Sequence, residues 1–314
     1  MLKIGLIGGG AHSRDNHLPA LKHLADENPQ RVELTAFCDV SEEVTQGVQA
    51  EYHFRSTYTG LAAMLAGERL DGCIAITPWS VTAKVAAQIL HAGIPVVIEK
   101  PPGRNPVEAK EICDLVAAAN GRAMVSVNRR FDPALTAARQ WLNGRKIEFI
   151  RATMLRSTRT EPDFFIETGL HGLDAMRALM GDIATYRLMS QRVGGALWYH
   201  VAIDFVGGAS GMLEVIPTCG MIDEIYELFG AGFRARVSVG AIGSGTFSAW
   251  SIGEAPVHLE PAAGQAVYVR NGTLAETEAF LISLSNGGPM HPTPHEILQS
   301  VEISHQIQAE TREP

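Results

Sequence analysis

Leu2-Lys3-Ile4-Gly5-Leu6-Ile7, followed at once by Gly8-Gly9-Gly10-Ala11-His12-Ser13, is the stretch that decides the fold. The first six residues are apolar apart from Lys3 and read as a buried strand. The glycines end it, and His17–Leu24 follows as a helix with Leu18, Leu21 and Leu24 at helical spacing. Strand, glycine turn and helix open a βαβ unit. The alternation continues through strands at Val32–Cys38, Cys73–Ile76, Pro95–Ile98 and Ala123–Val127. Helices are expected at Ser41–Glu51, Val81–His91 and Pro106–Asn120, with Ser41 as N-cap and Glu42 and Glu43 in the first turn. Strands apolar on both faces and separated by helices indicate a doubly wound α/β sheet over residues 1–122.

Beyond about residue 128 the rhythm changes. Pro133–Leu142 and Leu170–Leu179 read as helices, whereas 185–261 is mostly strand-like: Tyr186–Val193, Leu197–Val206, Met212–Ile216, Ile225–Phe229 and Arg234–Val239. Gly207-Gly208 and Gly230-Ala231-Gly232 mark hairpin turns, and Leu274–Leu284 and Glu296–Glu310 close the chain as helices. Residues 123–314 thus form an α+β domain with an open, largely antiparallel sheet. An open sheet face needs a cover, so a homodimer or homotetramer through this sheet is expected.

Composition narrows the function. The 314 residues are 46% hydrophobic and 19% charged, which is globular, and the net charge of −8 argues against non-specific nucleic-acid binding. No stretch reads as a membrane span or a signal peptide. Cys38, Cys73, Cys113 and Cys219 neither pair nor cluster, which suits reduced thiols in a cytoplasmic protein. Asn271-Gly272-Thr273 reads as a turn. His291-Pro292-Thr293-Pro294-His295 is not a metal motif, because its prolines prevent a shared helical face; Pro294 opens the last helix with Thr293 as N-cap, and no metal is expected.

In the glycine turn, Gly8 and Gly10 fill the first two places of G-x-G-x-x-G, and Ser13 stands in the third. Glycine is required because no side chain can stand between backbone N–H groups and a pyrophosphate at a helix N-terminus. Asp39 ends the second strand, where a carboxylate binds ribose hydroxyls and repels a 2′-phosphate. Val40-Ser41-Glu42-Glu43 offers no Arg or Lys to counter that, so NAD is favoured over NADP.

Val96-Val97-Ile98-Glu99-Lys100-Pro101-Pro102 carries a Glu-Lys pair at a strand's carboxyl end, where ligands of parallel sheets bind. Glu167-Thr168-Gly169-Leu170-His171-Gly172-Leu173-Asp174 places His171 and Asp174 on one helical face, with Glu167 joining them if the helix reaches back. A His beside carboxylates suits proton transfer near neutral pH.

With these segments the chain resembles the Gfo/Idh/MocA oxidoreductases, named for glucose–fructose oxidoreductase and inositol dehydrogenase. The resemblance rests on Gly8–Ser13 with His17-Leu18-Pro19, Asp39, Thr77-Pro78, Glu99-Lys100-Pro101, Asn128-Arg129-Arg130-Phe131 and Gly169-Leu170-His171. It implies a Rossmann dinucleotide-binding domain and NAD(P)-dependent oxidation of a sugar or cyclitol hydroxyl, or the reverse reduction. It implies Lys100 on the reacting oxygen and His171 as acid–base, with Glu167 or Asp174 orienting the imidazole. Asn128 and Arg129 would lie by nicotinamide and substrate, and Ala11, His12, Thr77, Pro78 and Glu99 by the cofactor. Two departures stand out: Glu167 replaces the family's Asp, and Thr82 stands where a His often follows Thr-Pro. Trp79 is placed to stack on the cofactor.

Eight basic residues between Arg129 and Arg159, Arg156 among them, face only Asp132 and Glu148. They either steer an anionic sugar, with Arg156 at the substrate, or form solvated faces and ion pairs. Two other functions fit the same architecture: a non-catalytic dinucleotide sensor, and an enzyme cleaving glycosides with NAD.

Overall fold

A computed structural model describes residues 1–118 and 121–311. The chain divides into two compact units, Met1–Val127 with Thr273–Leu298, and Asn128–Gly272 with Gln299–Pro314. The sequence boundary at 122 falls short because the strand after it pairs with its predecessor in the first sheet. The helix at residue 273 also returns to the first unit, a long-range association that no local pattern records.

The first unit runs β1 (Leu2–Ile7), α1 (Leu18–Glu27), β2 (Val32–Cys38), α2 (Glu42–Tyr52), β3 (Ser56–Tyr58), α3 (Leu61–Gly67), β4 (Gly72–Ala75), α4 (Trp79–His91), β5 (Val96–Glu99), α5 (Pro106–Ala118) and β6 (Ala123–Ser126). The last two residues of the expected helix 106–120 lie outside the described residues. All six strands are parallel in the order β3-β2-β1-β4-β5-β6. The order reverses between β1 and β4, and ligands of such sheets bind at that crevice. β3 and α3 were not foreseen; both are short and carry little periodicity. Ser41 caps α2 as expected, accepting from Val44 N–H.

The second unit contains α6 (Pro133–Trp141), β7 (Phe149–Leu155), α7 (Leu170–Met180), β8 (Ile183–Val193), β9 (Ala196–Phe205), β10 (Ser210–Ile216), β11 (Asp223–Gly230), β12 (Phe233–Ser238), β13 (Thr246–Ser251), β14 (Val257–Leu259) and α8 (Val267–Arg270). Then come α9 (Thr273–Asn286) in the first unit and α10 (Pro294–Glu310), which runs across the division. The eight strands lie in the order β14-β13-β12-β11-β7-β10-β9-β8, antiparallel except where β7 meets β10. β7, β13 and β14 are additions to the expected set. Alternate residues of β7, β9, β10 and β11 are buried, as a sheet with one core face requires. Gly172 lets α7 approach that core: a Cβ there would stand 2.6 Å from Met154 Sδ.

Thr293 and Glu296 form a reciprocal cap at the start of α10, Thr293 Oγ1 accepting from Glu296 N–H and Glu296 from Thr293 N–H. His291 Nδ1 lies 2.9 Å from the same carboxylate.

Candidate active site

In the first unit the strand ends assemble a cradle. Gly8 has φ +95°, and a Cβ there would stand 2.0 Å from the Ile76 carbonyl oxygen after β4, so no other residue fits. A Cβ on Gly9 would strike Val44 at 2.4 Å, whereas one on Gly10 would meet nothing within 4 Å. Gly10 therefore leaves open space above the turn, as close approach of a phosphate requires. Asp39 is locked beside it: Oδ2 accepts from Gly9 N–H at 2.8 Å and Oδ1 from Ser41 N–H at 3.0 Å. Ser13 is fully buried, and its hydroxyl finds no hydrogen-bond partner among the described residues. These residues fit a dinucleotide.

Thr77 and Pro78 follow β4. Thr82, which stands where the family often has His, spends its hydroxyl locally, 3.2 Å from Thr77 Oγ1 and 3.1 Å from the Pro78 carbonyl. Trp79 is half-buried at the start of α4. Glu99 and Lys100 are half-buried at the end of β5, followed by buried Pro101 and Pro102. Ala11 and His12 are exposed on the turn.

Three residues of this unit escaped the sequence reading. Arg14 Nε donates to the Gly9 carbonyl at 2.9 Å, so a guanidinium shares the Gly9 residue with Asp39. Ser126 donates to Glu276 on α9 at 2.8 Å and lies 3.5 Å from His17 Nε2. Burial pushes the Glu276 carboxyl up to about 8, with the charge of Glu99 adding to it. The available signal was a glutamate on the face of α9 that also carries Thr273, Thr277 and Phe280.

In the second unit a π-type turn, Phe165–Gly169, leads into α7 and carries Glu167 half-buried one turn before His171. His171 is buried on α7 with 9% exposure. Asp174 is engaged by a guanidinium. Both its oxygens accept from Arg130, at 2.8 and 2.7 Å, and Ser300 Oγ approaches at 3.4 Å. A carboxylate with 1% exposure is held by that guanidinium, which anchors α7.

Arg129 and Arg156 are likewise committed. Both donate to wholly buried Glu224 on β11, which also accepts from Tyr226. Burial opposes the Glu224 charge, but the two guanidiniums win and hold its carboxyl below the usual value. Asn128 donates to the Asn271 carbonyl and accepts from Arg129. The remaining basic residues of 129–159 are also engaged: Arg145 with Glu254, Lys146 with Glu148, Arg151 with Glu227, Arg159 with Glu161, and Arg139 with the Arg130 carbonyl. Most of the local positive charge thus enters ion pairs within the chain, those of Arg129 and Arg156 with Glu224 among them.

Residues 2–127 match the family described as "Oxidoreductase family, NAD-binding Rossmann fold", the Gfo/Idh/MocA family. Over residues 2–127 the chain thus resembles the NAD-binding domain of that family. It is similar to D-apiose dehydrogenase of Paraburkholderia graminis, 27% identical over 241 residues, covering 72% of this chain but 63% of that protein. Inositol 2-dehydrogenase of Rhizobium meliloti is 22% identical across 96% of the chain and 94% of its own length. A dehydrogenase from Chromobacterium violaceum has the same fold, with a TM-score of 0.88 at 17% identity over 99% of this chain and 95% of that one. Among the described residues no helix is long and apolar enough to cross a membrane.

Proposed function

We propose that the chain is an NAD(P)-dependent dehydrogenase or reductase acting on a hydroxyl or carbonyl of a sugar, cyclitol or related polyol. The observation that carries this is the Gly8–Gly10 turn, with open space over Gly10 and Asp39 fixed to Gly9. The names of the relatives supply the substrate class. Backbone N–H groups of the turn and Asp39 would hold the dinucleotide, with Trp79 against it. When bound, the nicotinamide supplies the hydride acceptor or donor.

The chain's own residues do the rest. His171 takes the hydroxyl proton on its imidazole in oxidation and returns it in reduction. Lys100 offers an ammonium to the oxygen as negative charge develops there. Glu167, one turn before His171, orients the ring. Asp174 and Arg130 keep α7 in place and take no part in proton transfer.

We read the cofactor as NAD, because Asp39 repels a 2′-phosphate. Arg14 is the counterweight, since its guanidinium sits on the same turn. Asp39→Asn is expected to cut the preference for NAD over NADP on the order of tenfold, about 1.4 kcal/mol, and Arg14→Ala to raise it. Opposite shifts in kcat/KM would overturn the assignment. The broad test is a dinucleotide-coupled screen over sugars, cyclitols and sugar acids. Turnover of none with dinucleotide still bound would favour a sensor, and aglycone release without net NADH would indicate glycoside cleavage. We further read the open face of the second sheet as a homo-oligomer contact, and the free, mostly buried cysteines as those of a cytoplasmic protein.

A further inference from the structure

A second set of donors lies beside the glycine turn. His12 and His17 set their rings edge to face with centroids 5.3 Å apart. Glu99, at the end of β5, completes the group, and one donor atom from each residue lies within 4.8 Å of the others. Glu99 Oε2 is buried 3.9 Å from His12 Nε2 and makes no hydrogen bond among the described residues. A buried carboxylate oxygen without a donor is costly, and a cation is what would satisfy it. An imidazole nitrogen is a common metal ligand, and two of them border this oxygen's side chain.

We propose that His12, His17 and Glu99 bind a divalent transition ion of the zinc class. Two imidazoles and a carboxylate with a coordination position left for water suit such an ion, whereas Mg²⁺ and Ca²⁺ prefer oxygen donors. Each ring is steadied from one side. His12 Nδ1 faces Asn16 Nδ2 at 3.2 Å, and His17 Nε2 faces Ser126 Oγ, which donates to Glu276. Partners of this kind orient metal ligands. The same Asn16 Nδ2 donates to the His12 carbonyl at 3.1 Å, which fixes the amide beside the ring.

Bonds of about 2.0–2.2 Å put tetrahedral donors roughly 3.4 Å apart. The group must therefore contract from 4.8 Å. His12 can provide that movement, since its side chain is 49% exposed. The spacing His12-x₄-His17 is not a helical metal pair in the sequence, and Glu99 is supplied only by the fold.

His12 and Glu99 border the cradle proposed for the dinucleotide, so the test uses metal alone, with no dinucleotide present. Chelator-stripped protein is titrated with Co²⁺, followed by its visible absorption and by calorimetry, and then challenged with Zn²⁺. One Co²⁺ per chain, displaced by Zn²⁺, is expected. His12→Ala and Glu99→Gln should each weaken binding by about tenfold or more. His12 is exposed and Glu99→Gln keeps its shape, so thermal unfolding without metal should match the parent. Absence of stoichiometric binding, or equal binding in both variants, overturns the proposal. Equal binding would move the ion to exposed pairs such as His258 with Glu260.

Discussion

Glu224 in the second unit is completely buried, yet its oxygens accept from Arg129, Arg156 and Tyr226. In the first unit Glu276 is buried and Glu99 half-buried, and each keeps one buried oxygen with no hydrogen-bond partner among the described residues. The same residue type thus serves two ends. Where a buried charge is saturated by its own chain, it holds the fold; where it is left short, a proton or a ligand has work there. His171, on a helix seated tightly against its sheet, and Lys100, at a strand's carboxyl end, are the groups assigned to chemistry.

The sharpest way to break this contrast is to remove the groups assigned to chemistry. His171→Ala and Lys100→Ala should each lower turnover by roughly 10²–10⁴-fold. His171→Ala should still bind NADH, as read by its fluorescence, and near-normal turnover in either variant would cancel the assignment. Next in size is Glu224→Ala, which strands two buried guanidiniums. A loss of about 3–5 kcal/mol in denaturant unfolding is expected, and a loss below 1 kcal/mol would show that the network is not structural.

Glu276 tests the contrast through pH. Its folded carboxyl keeps a proton up to about 8, while the unfolded chain releases it in the ordinary carboxylate range. The folded state therefore binds more protons between those limits, and stability falls as pH rises through them. Glu276→Gln should flatten that fall in Tm and leave the variant more stable than the parent at about pH 8–9. A parallel pair of Tm curves would place the proton elsewhere. The smallest effect belongs to Lys146, exposed beside Glu148. Lys146→Ala should change stability by less than about 0.5 kcal/mol and leave the substrate KM unchanged; a higher KM for anionic sugars would restore the steering role.

The glycine turn, Asp39 and the alternating strands were legible because their requirements are local. Gly8 is demanded by a carbonyl in contact with it, and β1, β2 and β5 are largely apolar runs. β3 and β14 have three residues each, and all of β14 is exposed, so neither leaves a periodic trace. β7 does alternate, but its Arg151 and Thr153 sit within the basic stretch, where charge masked the strand. The roles of Arg129 and Arg156 could not be read, because Glu224 lies 95 and 68 residues away. The guanidinium partner of Asp174 was hidden for the same reason, lying 44 residues upstream.

The return of α9 to the first unit has a consequence for how the chain is made. Phe280 and Leu281 are fully buried, and the Phe280 ring fills the space over Gly72 on β4. Arg122, just before β6, donates to the Ser283 and Gly288 carbonyls. A ribosome that has released the first 127 residues has therefore not yet supplied what closes them. The nascent domain must wait, with an apolar flank uncovered, for about 150 further residues, some ten to thirty seconds at bacterial or eukaryotic synthesis rates.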